Sequence, residues 1–195
     1  MSPASAGPRS TNRKDEIMNT NPTAMSVPPV LPPEGAYRID PATSKVAFRV
    51  AAIFGLSKAK GTLPIDSGDM TIGVTESASS ATATLSVGRF STTNAKRDTH
   101  VLSKDFLDAA TFPTMEFRSV GVVANGNAWT VRGSLTVHGT TAPVDLAITA
   151  VSATPTGLTV NATTRVDRAS FGVTKMKGMV GSTVDVDITV NATRV

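Results

Sequence analysis

The sequence predicts an all-β protein of many antiparallel strands, which form a barrel or a sandwich. Two observations lead to this fold class. From residue 36 onward, apolar and polar residues alternate with the period of two that half-buried strands require. Short turn signals separate the alternating runs, so the strands follow one another as a meander. A long meander closes into a barrel or packs as a sandwich, because a single open sheet would leave exposed edges.

Each alternating run places its apolar residues on one face and its polar residues on the other. The run at 184–192 is the cleanest, since Asp185, Asp187 and Thr189 oppose its apolar members. The apolar members of the successive runs are Val46, Phe48 and Val50; Ala81, Ala83, Leu85 and Val87; Trp129, Val131, Leu135 and Val137; Val144, Leu146 and Ile148; Leu158, Val160, Ala162 and Val166; and Val184, Val186, Ile188, Val190 and Ala192.

Four turn signals lie between these runs. They are SGD at 67–69, NGN at 125–127, HGTTAP at 138–143 and TPTG at 154–157. Gly, Asn, Asp and Pro favour turns because they tolerate or impose the backbone angles that a reversal needs. Each signal is therefore predicted to mark a connection between two strands.

The first 34 residues are predicted to form a disordered tail in front of a single domain at 35–195. Seven of the twelve prolines lie at or before residue 33, and proline interrupts both helices and sheets. Such a segment buries too little apolar surface to offset the entropy lost on ordering. It also lacks the continuous apolar run of a secretory signal, so we expect a cytoplasmic protein.

Composition and charge argue against several function classes. The chain has no cysteine, which removes thiolate nucleophiles and Cys-ligated metal sites. The formal net charge is +4 and the basic residues are scattered, so no nucleic-acid partner is expected. The sequence contains no GxSxG motif, no phosphate-binding glycine loop and no cluster at metal-ligand spacing.

The inner face of the predicted barrel is built from small residues, and aromatic residues make up only 5% of the chain. About eight strands enclose just enough room for side chains or for one small ligand. An empty apolar space is unfavourable because the atoms that line it lose contacts. The sequence therefore favours a cavity that holds an apolar ligand, while a sandwich with a filled, interdigitated core remains the alternative.

The segment NAKRDTHVLSKDFLDAATFPTMEF, residues 94–117, breaks the alternation and gathers charged residues, one of the two histidines and several Phe and Leu. The other distinctive motifs are YRIDPATSKVAFRV, VRGSLTVHGTTAPVDL, RVDRASFGV and STVDVDITV. These five motifs, taken in their order along the chain, resemble the YceI-like family of polyisoprenoid-binding, lipocalin-like proteins. The resemblance covers residues 36–195, with Val101 where the family usually has Leu.

The resemblance implies an extended antiparallel β-barrel of about eight strands, which holds one long isoprenoid, or a similar amphiphile, in an apolar tunnel. It also implies a short helical insertion around residues 94–108 that covers the barrel mouth, with Asp98 and His100 at or beside the ends of short helical turns. Arg97, Asp98 and His100 are the polar candidates at the mouth. Strand parity and the family pattern together give these lining candidates: Phe48, Val50, Ile53, Phe54, Leu85, Phe90, Phe106, Phe112, Phe117, Leu135, Val137 and Phe171.

We therefore expect a binding protein, and not an enzyme, that stores or carries a long-chain isoprenoid, an isoprenoid quinone or another amphiphilic lipid. That lipid is the expected ligand, and neither a cofactor nor a metal is expected. A transient contact with a membrane and a homodimer stay open as further associations. Relatives are often exported to the periplasm, so the resemblance does not decide the compartment.

Two other hypotheses stay open beside lipid binding. In the first, Arg97, Asp98 and His100 form an acid–base group, because an Asp–His pair can activate water. The protein would then be an enzyme or redox partner of an isoprenoid quinone. In the second, His138 is an axial ligand of a haem held in the barrel, whereas its position predicts an exposed residue at a hairpin end. The basic loop at 172–181 is interpreted as a solvated loop whose methionines touch the barrel rim.

Overall fold

The computed structural model describes residues 31–52, 56–176 and 178–195. Within these ranges it has ten strands, one α-helix and three 3₁₀ turns. The strands are β1 Gly35–Ile39, β2 Lys45–Ala52, β3 Ser57–Leu63, β4 Ile65–Ile72, β5 Ser80–Ser86, β6 Thr114–Asn125, β7 Ala128–Val137, β8 Thr140–Ala153, β9 Gly157–Asp167 and β10 Val180–Arg194. The helix α1 spans Ala95–Leu102, and the 3₁₀ turns are Glu76–Ala78, Val87–Arg89 and Arg168–Phe171. The predicted all-β class with one short helical insertion is confirmed.

The predicted tail at 1–34 lies almost entirely outside the described residues. The described residues just before β1 are hydrogen-bonded to the barrel. The hydroxyl of Tyr37 donates to the carbonyl of Pro33 over 2.8 Å. Arg194 donates from Nη2 to the carbonyl of Glu34 over 2.7 Å. These two bonds fasten the chain where it enters the first strand.

Eight strands form a closed antiparallel ring in the order β1, β4, β5, β6, β7, β8, β9, β10. Pairing of β10 with β1 completes the ring, with Ile39 opposite Ala192 and Tyr37 opposite Arg194. Closure leaves no unpaired edge in the ring. The chain therefore forms a barrel and not the alternative sandwich.

The strands β2 and β3 branch from this ring. Residues 180–189 of β10 pair with β2, and β2 pairs in turn with β3. Among the described residues, the outer edge of β3 has one further pairing, a bridge between Thr62 and Ser91. Its two backbone hydrogen bonds measure 2.8 and 3.1 Å. The insertion at 87–113 thus leaves the wall between β5 and β6 and docks on β3.

The helix α1 lies in this insertion and has a conventional start. Asn94 is its N-cap and accepts a hydrogen bond from the amide of Arg97 over 3.1 Å, as this position favours. Ser103 ends the helix in an extended conformation, and its amide donates to the carbonyl of His100. In the described part of the chain, no helix has the length and hydropathy of a membrane-spanning segment.

Three of the four predicted turns are confirmed. The NGN signal joins β6 to β7, and TPTG joins β8 to β9. In the β7–β8 hairpin, His138 and Gly139 have φ angles of 51° and 72°, as a two-residue type I′ turn requires. The prediction for SGD at 67–69 was wrong, since these residues lie inside β4. Gly68 allows β4 and β5 to pack closely there, because a Cβ at this position would lie 2.5 Å from the carbonyl oxygen of Thr82.

The turn between β1 and β2 is organised by the carboxylate of Asp40. Its Oδ1 accepts from the amide of Ala42 over 2.9 Å, and its Oδ2 accepts from the hydroxyl of Thr43 over 2.7 Å. Hydrogen bonds to the ionised carboxylate, with that of Thr43 the largest cause, lower the pKa of Asp40 below its ordinary value of 3.8.

Two apolar clusters occupy the interior. The larger contains Tyr37, Ile39, Val46, Leu63, Ile65, Met70, Leu85, Leu158 and Ala192. The smaller contains Phe106, Val137, Phe171 and Val173. The smaller cluster lies where β7 and β9 end and β8 begins, and Phe106 joins it from the insertion. The insertion therefore packs on one end of the barrel.

Candidate functional site

The barrel encloses a cavity of about 750 Å³ that is bordered by residues of both apolar clusters. All ten strands and α1 contribute to its wall. A space of roughly 300 to 1,000 Å³ is typical of sites for small molecules. The cavity is thus large enough for a ligand, and the filled-core alternative does not describe this barrel.

Aliphatic side chains form most of the wall. The strand β10 supplies Val184, Val186, Ile188 and Val190, the inward members of its alternating run. These four residues are only partly buried although they point inward. Their side chains face the cavity and lack the close packing that a filled core would give them. The wall therefore offers apolar surface along the length of the barrel.

Nine of the twelve lining candidates border the cavity. They are Phe48, Val50, Leu85, Phe90, Phe106, Phe117, Leu135, Val137 and Phe171. Ile53 and Phe54 lie outside the described residues. Six of the nine lie on strands, where parity directs their side chains inward. Of the other three, Phe90 and Phe106 lie in the insertion, and Phe171 lies in the 3₁₀ turn that follows β9.

Phe112 is the remaining candidate, and it is not among the described residues that line the cavity. Its ring packs edge-on against His138, with 4.8 Å between the ring centroids. A Cβ added at Gly139 would lie 2.6 Å from this ring. Phe112 therefore packs on the β7–β8 hairpin, away from the described lining of the cavity. It precedes β6 in an irregular segment, where alternation gives no direction to a side chain.

Several lining residues were absent from the candidate set. Met115, Leu146, Ile148 and Thr164 lie on the inner faces of β6, β8 and β9. The alternation in β8 and β9 could have predicted the inward position of Leu146, Ile148 and Thr164. Met176 and Met179 also line the cavity, but their loop has no period from which this placement follows. Of the small inner residues, Val87 and Ala192 are buried in packed positions and do not border the cavity.

The carboxylate of Asp98 fixes the start of the insertion. It accepts hydrogen bonds from the amide of Thr92 over 2.9 Å, from the hydroxyl of Thr92, and from the hydroxyl of Ser91 over 3.4 Å. Arg97 donates from Nε to the hydroxyl of Thr92 over 2.7 Å and from Nη2 to its carbonyl over 3.1 Å. Thr92 is only 4% exposed. Arg97 borders the cavity, whereas Asp98 turns back to hold the segment before α1.

His100 also borders the cavity, and its exposed ring packs edge-on against Phe106 with 5.0 Å between the centroids. Within the described part of the chain, no hydrogen bond joins the ring of His100 to Asp98. The acid–base pair that the sequence suggested is therefore not assembled, because Asp98 is engaged by Thr92 and Ser91.

His138 lies against Phe112 and is not among the described lining residues. It is partly buried, which differs from the predicted exposed position. The ring of Phe112 covers one side of it. Nothing in this placement directs His138 toward a haem inside the barrel. Across 31–52, 56–176 and 178–195, no group of three or more His, Cys, Asp or Glu side chains is arranged to hold a metal ion.

Arg168 shapes the loop before β10. Its Nε donates to the carbonyl of Gly181 over 2.9 Å, and its Nη2 donates to that of Val180 over 3.1 Å. Its Nη1 donates to the carbonyls of Val173 and Lys175 over 2.7 and 2.8 Å. The loop held in this way carries Met176 and Met179, which are 39% and 44% exposed and also line the cavity. These methionines therefore form part of the rim.

The sequence comparisons agree with this architecture. The YceI-like domain model matches residues 37–192. A UPF0312 protein of Pseudomonas syringae pv. tomato is 38% identical over 104 residues, which cover 50% of this chain and 54% of that protein. A UPF0312 protein of Pseudomonas putida is 36% identical over 107 residues, which cover 52% and 55% of the two chains. The match spans about half the length of these curated relatives.

Solved structures share the fold. BcnA of Burkholderia cenocepacia has a TM-score of 0.70 at 24% identity, with 78% of this chain and 98% of that chain covered. A polyisoprenoid binding domain from Saccharophagus degradans has a TM-score of 0.59 at 14% identity, covering 82% and 98%. The Campylobacter jejuni YCEI protein has a TM-score of 0.60 at 20% identity, covering 72% and 87%. The family match extends from β1 into β10 and takes in the insertion between β5 and β6, so this chain belongs to the YceI-like family.

Proposed function

We propose that the protein binds a long-chain isoprenoid, or a similar amphiphilic lipid, inside the barrel and stores or carries it. The observation that carries this proposal is the cavity of about 750 Å³ with its aliphatic and aromatic wall. Each CH₂ group moved from water into such a site contributes about 0.8 kcal/mol. A long chain is therefore expected to bind tightly with few polar contacts.

The shape of the rim supports a ligand with one polar end. Polar and charged residues of α1 border the cavity at the insertion, and most of the remaining wall is apolar. Met176 and Met179 add flexible side chains to the rim, and thioethers adapt to ligands of irregular shape. The related fold from Saccharophagus degradans is described as a polyisoprenoid binding domain, which favours the same ligand class here. The proposal assigns no catalytic group.

The direct test is native mass spectrometry of the purified protein beside organic extraction and mass spectrometry of the extract. A stoichiometric adduct built from repeating C₅H₈ units, which denaturation releases, is the expected result. A bare chain mass that persists after incubation with prenyl alcohols and prenyl quinones would contradict the proposal.

A matched pair of variants ties the adduct to the cavity. Thr164 lines the cavity, whereas its neighbour Thr163 is exposed on the outer face of β9. Thr164→Trp is expected to fill the space and abolish the adduct, and Thr163→Trp is expected to retain it. Equal retention by both folded variants would place the lipid outside the barrel.

A further inference from the structure

We propose that Met176 and Met179, the rim methionines, form a site of reversible oxidation at which hydrogen peroxide converts both thioethers to sulfoxides and releases the bound lipid. This inference rests on the proposed lipid-binding function and adds a means of regulating it. It follows from the exposure of these two side chains, from their place at the cavity and from the turn that carries them.

Solvent reaches the sulfur atoms of this chain to different degrees. The sequence has seven methionines and no cysteine, so its sulfur groups are all thioethers. Four of the methionines lie among the described residues, and all four border the cavity. Met70 is only 8% exposed and Met115 is partly buried, whereas both rim methionines are exposed. An oxidant dissolved in water therefore meets the rim methionines first.

The rim methionines also differ from the other exposed apolar side chains. The remaining large apolar side chains that are exposed in the described structure are Leu56, Val74, Val120, Val123, Val151 and Val195. These six are absent from the described lining of the cavity, whereas both rim methionines belong to it. Among the described residues, the rim methionines are thus the exposed large apolar side chains that face solvent and the proposed lipid site at once.

A single fixed turn carries both thioethers. The carbonyl of Met176 accepts hydrogen bonds from the amides of Met179 and Val180 over 3.1 and 3.0 Å. Arg168 holds both sides of the turn, since it donates to the carbonyls of Lys175 and Val180 over 2.8 and 3.1 Å. The backbone of the turn is therefore tied to the barrel, and a polar group formed on its side chains stays at the rim.

The oxidation needs no catalytic group from the protein. A lone pair of the thioether sulfur attacks one oxygen of hydrogen peroxide, so that an S–O bond forms while the O–O bond breaks. The other oxygen takes up the transferred proton and leaves as water. Sulfur loses two electrons and the peroxide gains them. The product is a polar, chiral sulfoxide, which methionine sulfoxide reductases can convert back to the thioether.

This change alters what the rim offers to a lipid. A thioether is apolar and adapts to a hydrocarbon chain. The sulfoxide oxygen is a hydrogen-bond acceptor, and its burial against hydrocarbon is unfavourable without a donor. Val173 and Val180 line the cavity on either side of the turn, and their side chains offer no donor. The oxidised side chains are therefore better solvated by water than by lipid, which weakens binding at the rim.

Native mass spectrometry with geranylgeraniol tests this inference on the full chain, before and after limited treatment with hydrogen peroxide. Catalase removes the peroxide before the lipid is added, so that the lipid itself is not oxidised. Peptide mass spectrometry is expected to find oxygen on the rim methionines before Met70 and Met115. The affinity for geranylgeraniol is expected to fall roughly tenfold, the scale of one poorly solvated polar group. Sulfoxide reductases of both stereospecificities, with dithiothreitol as reductant, are expected to restore it.

A double variant and a matched control assign the effect to the rim. Met176→Leu with Met179→Leu keeps apolar side chains and removes both thioethers, so its affinity is expected to be the same before and after peroxide. Val151→Met, added to that double variant, is the control, because Val151 is 40% exposed and lies outside the described lining. It is expected to take up oxygen without a loss of affinity. Peroxide that weakens binding equally in the parent and in the double variant would overturn the inference.

Two further results separate the inference from the proposed function. Oxygen found on Met70 or Met115 before the rim methionines would overturn the inference, and so would an unchanged affinity of the parent protein once both rim methionines are oxidised. Either result leaves lipid binding intact. Failure of the untreated protein to bind geranylgeraniol would instead contradict the proposed function.

Discussion

The rings of Phe48 and Phe90 stack, with 5.0 Å between their centroids and 17° between their planes. Phe48 lies on β2, and Phe90 directly follows the 3₁₀ turn that leaves β5. The stack therefore joins the β2–β3 branch to the start of the insertion, and both rings border the cavity. Gly61 on β3 leaves the necessary room, since a Cβ there would lie 2.4 Å from Phe48 Cζ.

Replacement of Phe48 by Ala is expected to remove part of the cavity wall, the proposed lipid site, as well as a packing contact. We expect a loss of about 2 kcal/mol in the free energy of unfolding, less than for a fully buried ring because Phe48 is only partly buried. Phe112→Ala is the matched control, since Phe112 packs outside the described cavity lining. Urea unfolding and native mass spectrometry should show that both variants lose stability and that only Phe48→Ala loses bound lipid. Equal lipid occupancy in the two variants would remove Phe48 from the site.

Gly61→Ala tests whether the insertion depends on close approach to β3. The added methyl group would meet the ring of Phe48 and lie 2.4 Å from the carbonyl oxygen of Ser91. We expect a destabilisation of about 1 to 3 kcal/mol and faster hydrogen exchange at the amides of Thr62 and Ser91, which form the bridge. Gly88→Ala is the control, because nothing lies within 4 Å of a Cβ there. Similar exchange rates in the two variants would show that the bridge is not affected by contact at Gly61.

Asp40 gives a prediction for the dependence of stability on pH. Because its pKa is lowered in the folded state, its stabilising contribution is fully present above the ordinary value of 3.8. That contribution is lost as the pH falls through the still lower folded pKa. Thermal unfolding of the parent protein and of Asp40→Asn from pH 7 to pH 2 is expected to show the larger fall for the parent. A constant difference between the two across this range would contradict the assignment.

Regular strands were the part of the fold that the sequence could predict. In β10 and β9 every second residue faces inward, so parity alone placed Val184, Val190 and Val160 on the cavity wall. Parity does not say which strands pair. The family resemblance predicted a barrel of about eight strands, and the structure adds the β2–β3 branch beside the ring.

The irregular segments could not be predicted in the same way. No period governs the side chain of Phe112, which packs on His138, or of Met176, which reaches the cavity from a loop. The polar group at the mouth was chosen from residue types and from the family resemblance. Arg97 and His100 do border the cavity. A hydrogen bond from a loop residue to a helix residue six positions later, such as that from Thr92 to Asp98, leaves no mark in the sequence pattern.

The network around Asp98 is expected to control how firmly the insertion closes the barrel. Asp98→Ala leaves the amide and hydroxyl of the buried Thr92 without this acceptor, which costs about 1 to 3 kcal/mol. Asp98→Asn keeps an acceptor oxygen and is expected to lose less. Asp105→Ala is the control, since it removes an exposed ion pair with Lys175 that is worth about 1 kcal/mol or less.

Urea unfolding should therefore rank the destabilisation as Asp98→Ala, then Asp98→Asn, then Asp105→Ala. In the same order, the exchange of bound lipid measured by native mass spectrometry is expected to become slower, because a loosened insertion opens the mouth more often. If Asp98→Ala and Asp105→Ala prove equally stable and exchange lipid at equal rates, the carboxylate of Asp98 does not hold the insertion. Its bonds to Thr92 would then be incidental to closure, and the packing of Phe90 and Phe106 would have to hold the insertion in place.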